Sequence, residues 1–376
     1  MNVSFEPRGT TGLAPWSAAL LSARGVLLVF SLYCLIHFLL RLLLGPGLGP
    51  DNAEQALFAQ EISALYSNLK QPPLYTWMTW LVFQLTGPGL VGLGIVRFAL
   101  LWVGYLALFA FARRVTGNEA LAALAAYSYL LLYVFAHFAL RNHTHTLLLS
   151  TLVALSLLFW ARAVQHGRWW DFAALGLLIG LGPLAKYNAI YLPAALLLAS
   201  AVVPELRRRI FGTGLWISAG VAALVALPFG ALLWFGEVPV TSIVLGKMHA
   251  RPEAAGLLPR LTGLGLLALE AVKFLMPMLA VLALALPRAL DPRGAGAPDR
   301  QGLRRGLGWQ IVAGLGLLVA TVLITAPAHL KYSWFHPVLL GAPVFLFARQ
   351  LGRTVSRRRV HAFVLAVFTV TGLVIM

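Results

Sequence analysis

Long apolar runs separated by short polar or Gly/Pro-rich connections dominate the chain. Runs long enough to cross the ~30 Å hydrocarbon core of a bilayer as helices fall at 25–44, 90–112, 119–140, 145–163, 172–186, 188–203, 212–235, 262–287, 309–327, 333–348 and 360–376. The pattern predicts an all-α polytopic membrane protein of about eleven transmembrane helices. The 172–203 run is too long for one span at about 1.5 Å per residue, and Gly182-Pro183 and then Lys186 interrupt it. Arg162 and Arg168 precede it and Arg207, Arg208 and Arg209 follow it. A hairpin with its tip near Lys186 keeps both basic clusters on one side, as the positive-inside tendency requires. Residues 1–24, which carry Arg8 and Arg24, then form a cytoplasmic N-terminus, and 25–376 a single transmembrane domain. No small-residue cleavage site follows the first run, so it is expected to stay as a helix.

Composition supports this reading. Hydrophobic residues make up 60% of the 376 positions and charged residues only 11%, against about a quarter charged in a soluble domain. The net charge of +17 sits in short clusters between apolar runs, without the continuous basic face that tracks phosphates, which excludes a nucleic-acid partner. Cys34 is the single cysteine, so an intrachain disulfide and a cysteine-rich metal site are excluded. With the N-terminus inside, the outward segments are 45–89, 236–261 and the turn near 328–332, and 288–306 is a Gly/Pro/Arg-rich cytoplasmic linker.

The first outward segment concentrates acid in Asp51, Glu54 and Glu61. Pro50-Asp51 with Glu54 three residues on reads as a helix start, and Leu57, Phe58, Ile62 and Leu65 recur at helical spacing, which predicts an amphipathic helix at the membrane surface. Asp51 and Glu54 fit a capping box. They equally fit a catalytic role, because Asp51 follows the first span at the bilayer surface, where a lipid headgroup and a water-borne partner both reach a general base. Pro72-Pro73 ends the helix, and Leu74, Tyr75, Trp77, Trp80 and Phe83 predict a second amphipathic stretch, an aromatic anchor at the interface.

An acidic residue opening a surface helix after the first span, followed by an aromatic/Gln-rich helix and a PPL-x-W segment, resembles the GT-C membrane glycosyltransferases. The resemblance is to the superfamily of protein O-mannosyltransferases and lipid A aminoarabinose transferases (glycosyltransferase family 39-like), here its bacterial branch. VRFALLWVGYLALFAFARRVTG, GLGPLAKYNAIYLP and KYSWFHPVLLGAP match in order and in position relative to the spans, so the resemblance covers most of the chain. It implies a GT-C-type bundle that moves a sugar from a polyprenyl-phosphate donor to a lipid or protein acceptor, with inversion. The site would face the periplasm from the bacterial inner membrane, surrounded by membrane lipids. It also implies that Asp51 is the general base. The family commonly has two adjacent acids there, whereas Asn52 follows Asp51, and where many relatives carry an Asp beyond the third span this chain reads Arg141-Asn142-His143-Thr144-His145. Many relatives continue into further spans or an outer domain, so acceptor recognition is expected to rest on the membrane core and its outer loops.

Such chemistry needs cations around the leaving phosphate. The candidates for donor or sugar binding are Glu54, Arg97, Arg141, Lys186, Tyr187, Lys331, Trp334 and His336, with Asn188, Lys247 and Arg251 nearby. Arg97 reads either as the partner of an acid in the first loop or as a phosphate ligand; Lys186 and Lys331 read as phosphate ligands or as snorkelling interface residues. Glu237 and His249 belong to the 236–261 loop, which reads as solvated or as the wall of an acceptor pocket. His143 and His145 at i, i+2, with His137 and Glu61 as the only supplements, do not make a complete metal site. No ligand set is assigned, and a divalent metal stays an open cofactor. Glu270 and Lys273 lie three apart on one helix face and are expected to pair. The competing readings are a transporter or lipid flippase, which would favour internal repeats and charges at mid-membrane, and a non-catalytic homologue.

Overall fold

The computed structural model describes residues 2–6, 9–45, 47–66, 71–132, 134–249, 256–287 and 301–375. Arg8, Arg251 and most of the 288–306 linker lie outside them. Five described helices are long and apolar enough to cross a bilayer: α1 (Ala23–Leu44), α4 (Leu90–Thr116), α6 (His145–His166), α9 (Thr213–Phe235) and α12 (Gln301–Thr325). Glycines in the left-handed region end three of them, Gly45 after α1, Gly117 after α4 and Gly167 after α6, where a side chain at Cβ would be strained.

The other apolar runs are shorter or broken. The 119–140 run divides into α5 (Glu119–Ser128), a tight turn at Tyr129–Leu131, a wide turn at Val134–Phe138 and a last turn at Ala139–Arg141. The 262–287 run divides into α11 (Leu257–Leu275) and Met278–Ala285, split at Pro277, which has no N–H to continue a helix. The 172–203 run does form two legs, α7 (Trp169–Ala185) and α8 (Tyr191–Val202). They part after the tip: α7 packs against α6 and α9, whereas α8 packs against α12. The contact between α7 and α9 is close because a Cβ on Gly176 would stand 2.4 Å from the Ser218 carbonyl oxygen. Large apolar side chains on the opposite face of α9, among them Leu224, Trp234 and Phe235, are exposed, as expected of a face that meets lipid.

In the first outward segment, α2 (Pro50–Phe58) ends before Ile62, so the predicted helix is shorter than its apolar spacing suggested. Its buried side chains are Asn52 and Gln55, while Leu57 and Ile62 are exposed. The helix thus turns a polar face to the protein and its apolar residues outward. The second stretch is α3 (Leu74–Thr86), packed on α4.

The chain is not wholly helical. Strands β1 (Asn2–Glu6), β2 (Gly9–Thr11) and β3 (Thr354–Ser356) form an antiparallel sheet in the order β2-β1-β3, beside the last helix, α13 (Arg357–Ile375). Asn118 caps α5 through its Oδ1 at 2.9 Å from the Leu121 N–H and donates through Nδ2 to the Glu6 and Gly9 carbonyls, which fastens the sheet to the bundle. Since α4 carries Arg97 in its first half, where Asn52 next to Asp51 bonds it, and ends at Thr116 beside Asn118, the sheet lies at the end of the bundle opposite Asp51.

Candidate active site

Asp51 stands in the first turn of α2, but the N-cap is Gly49 and no side chain caps the helix. The capping box therefore does not form. Among the described residues the Asp51 carboxylate accepts no hydrogen bond and makes no ion pair, and it opens to solvent. Partial desolvation pushes its pKa up, and the positive charges of Lys186, Arg97 and Lys331 pull against that shift.

Two polar side chains hold α2 in place. Asn52 donates through Nδ2 to the Arg141 carbonyl at 2.8 Å and accepts through Oδ1 from Arg97 Nη2 at 2.5 Å. Arg97, fully buried on α4, also donates to the Ala139 carbonyl at 2.6 Å. Its guanidinium is therefore shared between two neutral acceptors and not paired with an acid. Gln55, one turn on, accepts from Thr76 of α3 at 2.8 Å and lies 3.2 Å from His145 Nε2 of α6. These contacts tie the helix carrying the free carboxylate to α3, α4 and α6. Sequence reasoning passed over Asn52 and Gln55 as site residues; the signal available was a pair of polar residues at i, i+3 in a helix flanked by apolar segments.

Two of the cations that act on Asp51, Lys186 and Lys331, line a cavity of about 780 Å³ with Tyr187 and Trp334, together with Lys247 at the end of α10 (Val240–Lys247). Lys186 is positioned because α7 stops at Ala185 and the next residue is extended, φ −165°. Its ammonium donates to Thr146 of α6 at 2.5 Å. Burial, with Lys247 and Lys331 adding to it against Asp51, pushes its pKa down to about 7. Asn188, just beyond the tip, reaches the Ser333 carbonyl at 3.5 Å, and Trp334 meets Tyr191 edge-on with ring centroids 6.2 Å apart. The wall is completed by the His249–His329 ring contact at 5.7 Å, so His249 does line this pocket, and Gln71 joins it from the first outward segment.

Not every expected residue converges here. His336 is buried with Nδ1 2.6 Å from Ser150 Oγ and does not line the cavity. Arg141 is exposed and lines a different cleft. Glu54 sits half-buried on α2 beyond Asp51. Glu270 and Lys273 pair at 2.6 Å as expected, and Glu270 also accepts from the Tyr332 N–H at 3.0 Å, which fixes the turn leading from Lys331. His143 and His145 diverge: His145 faces Gln55, while His143 stacks on Phe138 at 5.3 Å. Among the described residues no three His, Cys, Asp or Glu side chains converge as a metal site.

Residues 70–234 match the family model described as dolichyl-phosphate-mannose-protein mannosyltransferase. Two curated relatives come from Rhizobium johnstonii: the lipopolysaccharide core galacturonosyltransferase RgtB, 32% identical over 88% of this chain, and RgtA, 30% identical over 86%. The fold is similar to that of ArnT from Cupriavidus metallidurans, solved with undecaprenyl phosphate bound, at a TM-score of 0.66 and 18% identity over 93% of this chain and 64% of that one. The chain is thus similar in sequence to these galacturonosyltransferases and in fold to the GT-C bundle of ArnT. It spans 64% of the length of the two curated relatives. Within this GT-C bundle the family match begins at residue 70 and so covers the hairpin tip with Lys186, while Asp51 lies ahead of it.

Proposed function

We propose that the protein is an inverting glycosyltransferase that moves a sugar from a polyprenyl-phosphate carrier to a lipid acceptor at the periplasmic face of a bacterial inner membrane. The observation that carries this reading is the uncommitted Asp51 carboxylate within electrostatic reach of Lys186 and Lys331, which with Lys247 line one cavity. Asp51 takes the proton of an acceptor hydroxyl, whose oxygen attacks the anomeric carbon. The bond from that carbon to the phosphate oxygen breaks, and its electron pair stays on the phosphate, where Lys186, Lys331 and Lys247 meet the charge. A positioned base contributes about 10²–10⁴-fold, and each preorganised donor at the leaving group about 10²–10³-fold. The leaving phosphate needs no proton of its own.

The names of the two Rhizobium relatives support galacturonic acid as the sugar and a lipopolysaccharide-type lipid as acceptor. The orientation is supported by charge: Arg113, Arg114, Arg162, Arg168, Arg207, Arg208 and Arg209 gather at the end away from Asp51, which is the cytoplasmic end under the positive-inside tendency. The test is the Asp51→Asn chain in membranes supplied with carrier-linked galacturonic acid. Transfer is expected to fall at least ~100-fold with donor binding retained; undiminished turnover refutes the assignment.

A further inference from the structure

A second cavity, of about 410 Å³, opens beside the same helix start and is lined by none of the three lysines. One face of α1 supplies His37, Leu40, Arg41 and Leu44; Phe98 of α4 and Arg141 close it. Both ring nitrogens of His37 and the Nε of Arg41 are buried without a hydrogen-bond partner, and the two residues are only 8% and 9% exposed. A guanidinium and an imidazole removed from water with unmet donors are costly unless something accepts from them. Their partner is therefore sought in a ligand. Gly49, two residues before Asp51, forms part of the wall, and a Cβ there would stand 2.6 Å from Asn142 Oδ1. Asn52 bonds both the Arg141 carbonyl at the edge of this cleft and Arg97, and the cleft shares no lining residue with the lysine cavity.

We infer that the cleft between α1, α4 and Arg141 is an anion site that holds a phosphate or carboxylate carried by the acceptor lipid. The inference rests on the transferase reading, and its logic is geometric. An inverting displacement brings nucleophile and leaving group to opposite faces of the anomeric carbon, so the acceptor cannot share the pocket that takes the carrier phosphate. The unpartnered donors line a cleft that includes Gly49, two residues before the base, and has no residue in common with the lysine cavity, which leaves it free for the acceptor. Arginine presents a planar fork that matches an acidic group in two parallel hydrogen bonds, a geometry that lysine lacks. Leu40, Leu44 and Phe98 line the same cleft, and Leu39 and Leu43 continue outward as exposed apolar surface. The ligand is thus an amphiphile with its acid lodged at Arg41 and its chain along α1.

The purified full chain in neutral detergent can be titrated with dodecyl phosphate, and with inorganic phosphate as the soluble control, by native mass spectrometry and calorimetry. Two dodecyl phosphate sites are expected. Arg41→Gln and, on the exposed rim, Arg141→Gln should each weaken one of them by about tenfold or more and leave the other unchanged, while Lys331→Gln does the reverse. Arg41→Lys, which keeps the charge but loses the fork, should weaken the site less than Arg41→Gln. Binding that responds to Lys331→Gln and not to either arginine variant overturns the inference and leaves the lysine cavity standing. Inorganic phosphate binding at the arginine site as tightly as dodecyl phosphate overturns the claim that the anion is lipid-borne. Failure of the transferase reading is registered separately, by turnover in the Asp51→Asn chain.

Discussion

Raising the pH should weaken donor binding through Lys186. With its pKa pushed down to about 7, this lysine is ~90% protonated at pH 6 and ~10% at pH 8. The donor phosphodiester carries one fixed negative charge over that range and adds no slope of its own. Since the anion prefers the ammonium, binding takes up a proton above pH 7, and the donor Kd should climb by up to about tenfold per pH unit there. The assay is calorimetric titration of carrier-linked sugar between pH 5 and 8.5 on the Asp51→Asn chain, which holds the donor without consuming it; loss of the Asp51 charge, which raises the Lys186 pKa, moves the same climb in Kd to lower pH. Lys186→Arg keeps its charge at every pH and should flatten the profile. The empty chain should show the complementary effect on stability. Between pH 7 and 10.5 the unfolded lysine holds a proton that the folded one has lost, so stability rises with pH across that window. A Kd of the Asp51→Asn chain that stays level, or a Lys186→Arg form of it with the same slope, would refute the argument.

Three further outcomes are expected. Asn52→Ala removes one charge-assisted acceptor from buried Arg97, worth about 1.5–3 kcal/mol, and a second neutral bond of about 1 kcal/mol; calorimetry should register a lower Tm, and transfer should fall with both kcat and KM changed. Burial, with Lys186, Arg97 and Lys331 adding to it, pushes the His143 pKa down to about 3. The stability tied to its neutral form is complete above pH 6.5 and lost as pH falls toward 3, so His143→Phe should flatten the acid limb of the unfolding profile; an unchanged limb rejects this. Gly176→Leu should prevent α7 from reaching α9, given the 2.4 Å approach at its Cβ position, and cost more than about 3 kcal/mol; a detergent-stable variant with unaltered Tm would contradict it.

Much of the bundle was legible because lipid-facing helices need apolar length, and length survives in a sequence. The hairpin tip was readable from Gly182-Pro183 and Lys186, and the Glu270–Lys273 pair from spacing alone. The site was legible at Asp51, where Pro50 marks a helix start. Its supports were not, because Asn52 and Gln55 look like solvated positions of a surface helix unless their partners on α4, α6 and α3 are known. Arg97 invited an acid as partner, and tertiary packing gave it an asparagine and a carbonyl instead. His336 pointed to a headgroup by its neighbours in sequence, yet a Ser150 contact from a distant helix decided its direction. The sheet escaped altogether: strands of three to five residues carry too little periodicity to announce a pairing so remote in the chain.

That pairing constrains the order of assembly. Arg357, next to β3, donates to the Gly12 carbonyl across 345 positions of sequence, so residues translated early must wait for a partner that emerges after α12. During synthesis β1, already paired with β2 on one side, offers unpaired backbone on the edge that awaits β3, open to chaperones or to another copy. Closure of this small sheet would then act as a latch on a completed bundle, and a bulky tag fused ahead of Asn2 should hinder it while the helices insert normally.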